Sequence, residues 1–305
     1  MYPVIPVLHE AGDILEPLGT KFKFWFDSNS TRYLFKLNTP NSMGVTGEDW
    51  SEKVACELCE LLNLPHAHYD LATWRDQHGV VSPTFAPPDG MVMSGNELLV
   101  ALEKGYPKGQ FYRVRQHTLR LVLQIMKAKL IQVPPDWRSV TGVTSAIDVF
   151  VGYLMLDAWI ANQDRHHENW AFVISPAPEL TIRLAPTFDH ASSLGWNVPD
   201  QTRIDRLTTR DMRRNIEAYV ERAQSAFYTS ASSIKPMGTL EVFREAARQR
   251  QEAGRAWLDR LAQIPDNTIS GLFEQIPPDR ITPAGKQFAM RMLEVNRTRL
   301  LNLEF

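Results

Sequence analysis

The chain has 305 residues, of which 44% are hydrophobic and 22% are charged. This composition is typical of a soluble globular protein, and the length is sufficient for one large domain or for two lobes around a cleft. The formal net charge of −2 argues against strong direct binding of nucleic acid, because dedicated nucleic-acid binders are usually basic.

The chain shows no sequence signal for membrane insertion or secretion. No run approaches the roughly 18 uncharged apolar residues that a membrane-spanning helix needs. The first residues have neither the basic flank nor the apolar stretch of a signal peptide. Two cysteines in a chain of this length do not form a disulfide framework, which fits a reducing compartment. We therefore expect a cytoplasmic protein without membrane contact.

The first hundred residues are predicted to be rich in strands. Alternating aromatic residues on either side of a DSNST turn predict two strands within 20–37. A loop rich in Asn, Pro, Gly and Ser follows over 38–48. The apolar spacing over 49–63 predicts one helix that stops at Asn63. Further strands are predicted within 66–94.

From Gly105 onward the pattern becomes mostly helical. Helices are predicted at 115–131, 144–161, near 208–226, 238–263 and 284–302. The segment 144–161 is apolar nearly all round, which is typical of a buried helix, and two short strands joined across SPAPE come soon after it. We therefore predict an α+β fold with two lobes. The strand-rich first lobe spans 1–105, with a hinge near 91–105, and the helical second lobe spans 106–305.

A group of polar residues around the predicted hairpin carries the strongest functional signal. Asp164, His166 and Asn169 form the pattern D-x-H-x-x-N in a loop, and Asp189 follows the second strand. This order suits phosphoryl transfer. Asp164 would accept the proton of a hydroxyl group, while Asn169 and Asp189 would bind Mg²⁺. Magnesium prefers such oxygen ligands to imidazole, so His166 is expected to orient the loop by hydrogen bonds. The alternatives are a polar turn and an Asx-turn acid.

A lysine on the predicted second strand is a candidate for binding nucleotide phosphates. Lys36 requires an acid to position it, and Glu52, in the first turn of the next helix, is expected to form that ion pair, with Glu48 as the alternative. A solvated lysine on an edge strand is the other interpretation. The spacing of Asp49 and Glu52 also resembles a capping box.

The segment PLGTKFKF precedes the first strand pair and is predicted to bind phosphate. Gly19 would let backbone amides approach an anion, and Thr20 and Lys21 would add donors. The segment matches neither GxxxxGK[ST] nor GxGxxG, so a P-loop or Rossmann fold is not indicated. Cys56 and Cys59 have the spacing of half a zinc site. No second pair exists and both lie within a predicted helix, so we interpret them as packing residues.

These motifs resemble those of the HipA-like serine/threonine kinases of bacteria. ANQDRHHEN and LAPTFDHASSLG resemble the family's NxDxHxxN loop and its later metal-binding Asp. GTKFKFW, YLFKL and SEKVACELCELLNLP resemble its phosphate loop, strand lysine and first-lobe helix. The similarity covers roughly residues 15–200, is densest at 161–195, and is to the short, single-domain forms.

The resemblance implies ATP- and Mg²⁺-dependent phosphorylation of a protein Ser or Thr. Asp164 takes the role of the base, Asn169 and Asp189 that of the metal ligands, and Lys36 that of the phosphate-binding lysine. Members of the family act as toxins with a DNA-binding antitoxin partner, and some autophosphorylate in the phosphate loop, where Thr20 is the candidate. Two alternatives stay open: a lipid or small-molecule kinase, because DRHHEN also resembles the phosphatidylinositol kinase loop, and a nucleotide-binding module without turnover.

Overall fold

The computed structural model describes residues 1–8, 14–15, 21–44, 46–110, 112–135, 137–176 and 179–305. Its first sheet consists of β1 (Val4–Val7), β2 (Ile14–Leu15), β3 (Lys23–Ser28), β4 (Thr31–Leu37), β5 (Asp70–Trp74) and β6 (Gln77–Pro83). The strands lie in the order β1-β5-β6-β4-β3-β2. Strand β1 runs parallel to β5, and the other pairs are antiparallel.

Aromatic side chains form the core on one face of this sheet. Phe24 on β3 lies opposite Phe35 on β4, and both side chains are fully buried together with most of Trp74. Helix α1 (Glu48–Leu62) packs against β5 and β6 and is buried along nearly its whole length. The alternation of aromatic residues seen in the sequence is therefore explained by a sheet with one buried face.

A second sheet stands between the first sheet and the helical part of the chain. It consists of β7 (Met91–Ser94), β8 (Ile131–Gln132), β9 (Ala171–Ser175) and β10 (Thr181–Leu184), in the order β7-β9-β10-β8. Strands β9 and β10 form the predicted antiparallel hairpin. The chain passes from the first sheet to the second between Pro83 and Met91. The division at residue 105 stays a proposal.

The rest of the chain is helical. Its helices are α2 (Gly95–Leu102), α3 (Leu119–Met126), α4 (Ala146–Ile160), α5 (Asp200–Thr208), α6 (Ile216–Glu221), α7 (Thr239–Gln249), α8 (Gln251–Ala262), α9 (Asp266–Glu274) and α10 (Pro283–Leu301). Every residue of α4 is buried, and α7, α8 and α10 pack around it. A Cβ on Gly152 would lie 2.5 Å from the Trp257 ring, so only glycine permits α8 to approach α4 this closely. The fold is thus of the mixed α+β class, with a strand-rich part and a helical part, as predicted from the sequence.

Several predicted elements differ from the structure. The predicted helix near 208–226 is wrong, because α5 ends at Thr208 and the next helix is only the six residues of α6. The predicted helix 238–263 is two helices that meet at Arg250, which leaves the helical conformation and donates from Nε to Asp148 on α4 at 2.6 Å. Strands β1, β2 and β8 and helices α2, α5 and α9 were not predicted individually.

A buried ion pair joins the C-terminal part of the chain to the first sheet. Arg280 donates to Asp49 on α1 at 2.7 Å and to the carbonyl of Ala72 on β5 at 2.8 Å. Both charged side chains are almost fully buried, so removing one partner would leave an uncompensated charge. In the described part of the chain, no helix combines the length and the apolar character needed to span a bilayer.

Candidate active site

The loop between α4 and β9 begins at a residue with left-handed geometry. Ala161 has φ 52° and ends α4. Asn162 then donates from Nδ2 to Asp157 Oδ1 at 2.8 Å, and its own Oδ1 accepts the backbone N–H of Asp164 at 3.1 Å. Because Asn162 is fully buried, these two bonds tie the backbone of Asp164 to the end of the buried helix.

A buried arginine fixes the rest of the loop. Arg165 donates from Nε and Nη2 to both carboxylate oxygens of Asp157, each at 2.8 Å. Its Nη1 donates to the carbonyls of Asn169, at 2.7 Å, and Phe188, at 3.4 Å. One guanidinium therefore connects α4, the end of the loop and the residue before Asp189. Neither Arg165 nor Asp157 was predicted from the sequence. The available signal was an acid near the end of an otherwise apolar helix, because such an acid needs a partner.

Asp164 has an environment that suits a general base. Its side chain is 28% exposed, and Ser192 Oγ donates to its Oδ2 at 3.4 Å. Burial, and secondly the charge of Asp189, raise the pKa of Asp164 to about 7. A carboxyl group with such a pKa is a far better proton acceptor at neutral pH than an ordinary aspartate.

His166 lies beside Asp164, and its ring is uncharged at neutral pH. Its Nδ1 accepts the backbone N–H of Glu168 at 3.2 Å, which places the proton of the neutral ring on Nε2, 3.7 Å from Asp164 Oδ1. Burial lowers the pKa of His166 to about 4, so the ring is neutral at pH 7. The geometry agrees with a residue that orients the loop, and a direct catalytic role for His166 stays a proposal.

Asn169 turns its carbonyl oxygen away from the loop. Its Nδ2 donates to the backbone carbonyl of Asp164 at 2.6 Å, so the amide group is oriented by the loop itself. Oδ1 is then the atom left for a ligand. An amide oxygen held in this way is a suitable ligand for a hard cation.

Asp189 adopts a backbone conformation that few residues with a Cβ tolerate. Its φ is 61°, a left-handed geometry that costs free energy and is concentrated at functional sites. Lys36 Nζ lies 3.1 Å from Asp189 Oδ1. Burial alone would raise the pKa of Asp189, but the charges of Lys36 and Lys23 hold it below its usual range. The carboxylate is therefore ionised at neutral pH.

The predicted ion pair between Lys36 and Glu52 is wrong in this structure. Among the described residues Lys36 pairs with Asp189 and donates to the Tyr69 hydroxyl at 3.4 Å. Glu52 instead accepts the backbone N–H of His190 at 2.7 Å through Oε1. The alternative acid, Glu48, pairs with Lys21. Glu52 is almost fully buried, and its Oε1 is occupied by the backbone N–H of His190.

The predicted phosphate-binding segment is described only in part. Gly19 and Thr20 lie outside the described residues. Lys21 is described, is partly exposed, and pairs with the nearly buried Glu48. Its ammonium group also lies 5.5 Å from the centre of the Trp196 ring.

One cavity brings together the predicted site residues that the structure describes. Its volume is about 410 Å³, and it lies between the first sheet and the loop that follows α4. The predicted residues that line it are Lys21, Lys36, Glu52, Asp164, His166, Asn169 and Asp189. Apolar side chains contribute another part of the wall, where the rings of Phe85 and Phe188 lie 5.8 Å apart. A cavity with an apolar wall and a charged end is suited to a nucleotide.

A second cavity of about 400 Å³ meets the first at Asp164 and His166. It continues past Arg113 and His117 toward the segment that contains Tyr228. Its wall is mainly polar and aromatic. Asp164 thus lines two cavities and is reached from both.

The fold is similar to that of known kinases. The chain superposes on the proinflammatory kinase CtkA of Helicobacter pylori with a TM-score of 0.71 and 20% identity, over 99% of this chain and 100% of that one. It also superposes on HipA of Shewanella oneidensis MR-1, in a structure of the toxin–antitoxin complex of HipA, HipB and operator DNA. The TM-score is 0.57 and the identity 11%, over 96% of this chain and 68% of that one. No protein-family model and no curated protein matches the sequence. These similarities establish a kinase-type fold.

Proposed function

We propose that this protein is an ATP- and Mg²⁺-dependent kinase of the HipA-like type that phosphorylates a serine or threonine of a protein. One observation carries the proposal: Lys36, Asp164, Asn169 and Asp189, which come from three separate parts of the chain, line a single cavity between the lobes. These residue types are the ones that position a phosphoryl group, its metal ion and its acceptor hydroxyl.

Asp164 has the role of the base. A serine or threonine hydroxyl that reaches Asp164 would donate a hydrogen bond to the carboxylate. It would transfer its proton there as its oxygen bonds to the γ-phosphorus of ATP and the bond from that phosphorus to the departing ADP breaks. The pKa of about 7 keeps the group partly ionised at neutral pH and makes it a sufficiently strong acceptor. The bonds from Asn162 and Arg165 hold the loop rigid, which lowers the cost of aligning the hydroxyl.

Asn169 and Asp189 have the role of magnesium ligands. The donor set fits this ion, because it consists of an amide oxygen oriented by its own NH₂ group and an ionised carboxylate. When bound, Mg²⁺ would supply positive charge to the transferred phosphoryl group. Lys36 would then pair with phosphate oxygens from the side of the first sheet.

A protein acceptor is favoured by the second cavity. It is an open groove that meets the nucleotide cavity at Asp164, so an extended segment lying in it would bring a side-chain hydroxyl to the base. Arg113 in its wall would offer hydrogen-bond donors to backbone carbonyls of such a segment.

The similarity to HipA is the basis for proposing a partner and a location for this protein. The HipA structure contains HipB and operator DNA, and we propose by analogy a DNA-binding, antitoxin-type partner and a cytoplasmic location for this protein. Thr20 stays the candidate for autophosphorylation.

The test is intact-mass analysis of the purified protein after incubation with ATP and Mg²⁺, followed by fragmentation. We expect a mass increase of whole phosphoryl groups, and none in Asp164→Asn, in Asp189→Asn or in the presence of excess EDTA. Asp76→Asn, at an exposed turn, is the matched control and should be labelled like the wild type.

Radiolabelled transfer to lysate proteins, lipids and metabolites identifies the acceptor class. Label on serine or threonine of a protein supports the proposal. Label only on lipid or metabolite pools would replace the protein acceptor with one of those. Absence of any turnover, with nucleotide bound, would identify a nucleotide-binding module instead.

A further inference from the structure

A cysteine and two histidines converge outside the proposed active site. The sulfur of Cys56 and one ring nitrogen each of His66 and His68 all lie within 4.8 Å of one another. We propose that these three residues bind a Zn²⁺-type transition-metal ion. The proposal is independent of the kinase function, because none of the three residues lines the nucleotide cavity.

The fold brings these residues together from two neighbouring segments. Cys56 lies in the middle of α1, and the two histidines lie on the connection between α1 and β5. The connection folds back along the helix, so two alternate positions of an extended segment present both rings to one helix position. Cys59, with which Cys56 forms the C-x-x-C spacing, is fully buried in the core and belongs to packing, as interpreted from the sequence.

Each of the three ligands has its own orienting hydrogen bond. Cys56 Sγ accepts the backbone N–H of Tyr69 at 3.4 Å. His66 Nδ1 lies 2.8 Å from the carbonyl of Leu64, which fixes its proton on Nδ1 and leaves the lone pair on Nε2. His68 Nε2 lies 3.2 Å from Asp70 Oδ2, which leaves Nδ1 free. Metal-binding histidines are typically held by this kind of outer contact to a carbonyl or carboxylate.

The environment of His66 requires a cation. Its side chain is 9% exposed, and Nε2 has no hydrogen-bond partner among the described residues. Oε1 of Glu60 lies 3.4 Å from Nε2. With its proton on Nδ1, the ring directs a lone pair at a carboxylate oxygen. A metal ion bound to Nε2 would give this buried lone pair a partner.

The donor set selects the class of metal. Thiolate and imidazole suit zinc and similar ions, whereas magnesium and calcium require oxygen. Zinc bonds of about 2.0–2.3 Å in a tetrahedron separate the ligand atoms by roughly 3.3–3.6 Å. The three proposed ligand atoms already lie within 4.8 Å of one another. Small rotations close the remaining gaps, because the His68 side chain is 49% exposed and has room to shift while it keeps its hydrogen bond to Asp70.

Backbone hydrogen bonds link the proposed metal site to the segment that leads to the nucleotide cavity. Ala67, between the two histidines, donates its N–H to the carbonyl of Thr187 at 2.8 Å, and Thr187 donates to the carbonyl of Pro65 at 3.0 Å. Thr187 precedes Asp189 by two residues. A metal that fixes the segment around Ala67 would therefore also restrain the chain that leads to Asp189.

The test uses the tag-free, full-length protein after removal of metals with EDTA and dialysis. Zn²⁺ affinity is measured by competition with a chromophoric chelator, and Co²⁺ is added as a spectroscopic probe. We expect one Zn²⁺ per chain and a thiolate-to-cobalt charge-transfer band. His68→Gln, at a half-exposed position that the fold does not depend on, should weaken Zn²⁺ binding by about 100-fold or more, in line with the loss of a ligand.

Control variants separate this site from other metal-binding groups. Cys56→Ala should lose the charge-transfer band, whereas Cys59→Ala should keep it. His78→Gln removes a histidine elsewhere on the first sheet, and Asp189→Asn removes the proposed magnesium ligand. Both should bind Zn²⁺ like the wild type. The proposal is overturned if the wild-type protein shows no charge-transfer band, or if folded His68→Gln binds Zn²⁺ as tightly as the wild type.

Discussion

Replacing Asp164 by asparagine should make the protein more stable while abolishing phosphoryl transfer. The pKa of Asp164 is raised from 3.8 to about 7, mainly by burial. Each unit of difference corresponds to about 1.4 kcal/mol, so the ionised carboxylate destabilises the folded state by at most about 4 kcal/mol. Because the side chain is 28% exposed, solvent screening reduces this to about 2–3 kcal/mol. Asparagine has nearly the same shape and no charge.

The effect of Asp164→Asn depends on pH with a definite sign. The folded pKa lies above the unfolded value, so the wild type is not penalised below about pH 4, where the group is protonated in both states. It loses stability as the pH rises toward about 7, and the loss is complete above that. The variant should therefore equal the wild type at about pH 4 and exceed it at pH 8, by roughly 3–5 °C in melting temperature.

The assay is thermal and urea unfolding of both proteins between about pH 4 and pH 9. Mg²⁺ and nucleotide are left out, because their charges would change the effect of the Asp164 carboxylate. Asp76→Asn, at an exposed position, is the control and should show no pH-dependent gain. In parallel, phosphoryl transfer by Asp164→Asn should fall by about 10²–10⁴-fold. The reasoning is refuted if the variant gains no stability at pH 8, or gains the same amount at every pH.

Three further predictions follow from the same contacts. Below about pH 7, kcat/KM of the wild type should fall about tenfold per pH unit as Asp164 becomes protonated; a flat profile between about pH 5.5 and 8 would contradict this. Arg165→Met should lower the free energy of unfolding, measured with urea, by about 3–5 kcal/mol, because it leaves the buried charge of Asp157 unpaired. The control Arg213→Met, at a side chain that is 89% exposed, should change this free energy little. Lys36→Met should lower single-turnover phosphoryl transfer by about 10²-fold or more, with unchanged circular dichroism, and a change of only a few-fold would exclude the phosphate-binding role.

The convergence of the predicted site residues could be foreseen because most of them are close together in sequence. Asp164 and Asn169 are five residues apart in one loop, and the apolar pattern on both sides fixes that loop between a buried helix and a strand. Asp189 lies just beyond the hairpin, and a hairpin returns the chain to its starting point. Short spacings and periodicity were therefore enough to place these three residues at one cavity.

The contacts that the sequence did not reveal depend on long-range packing. The partner of Lys36 depends on how far α1 stands from the end of β10, and no local pattern encodes that distance. The role of Arg165 depends on Asp157, one turn before the end of α4. Strand β1 pairs in parallel with β5, which is more than sixty residues away in sequence. A four-residue strand is too short for its periodicity to predict that pairing.

The contacts of Lys36 and Glu52 indicate what nucleotide binding must change. Without a metal ion, Asp189 is neutralised by Lys36 at 3.1 Å. Mg²⁺ on Asp189 would supply that charge instead and release the ammonium group. Glu52 Oε2 lines the same cavity, is buried, and has no hydrogen-bond partner among the described residues. An unpaired carboxylate oxygen is costly in such a place, and its charge already acts on Lys36. We therefore expect Lys36 to leave Asp189 and turn toward the phosphates when Mg²⁺ and ATP bind.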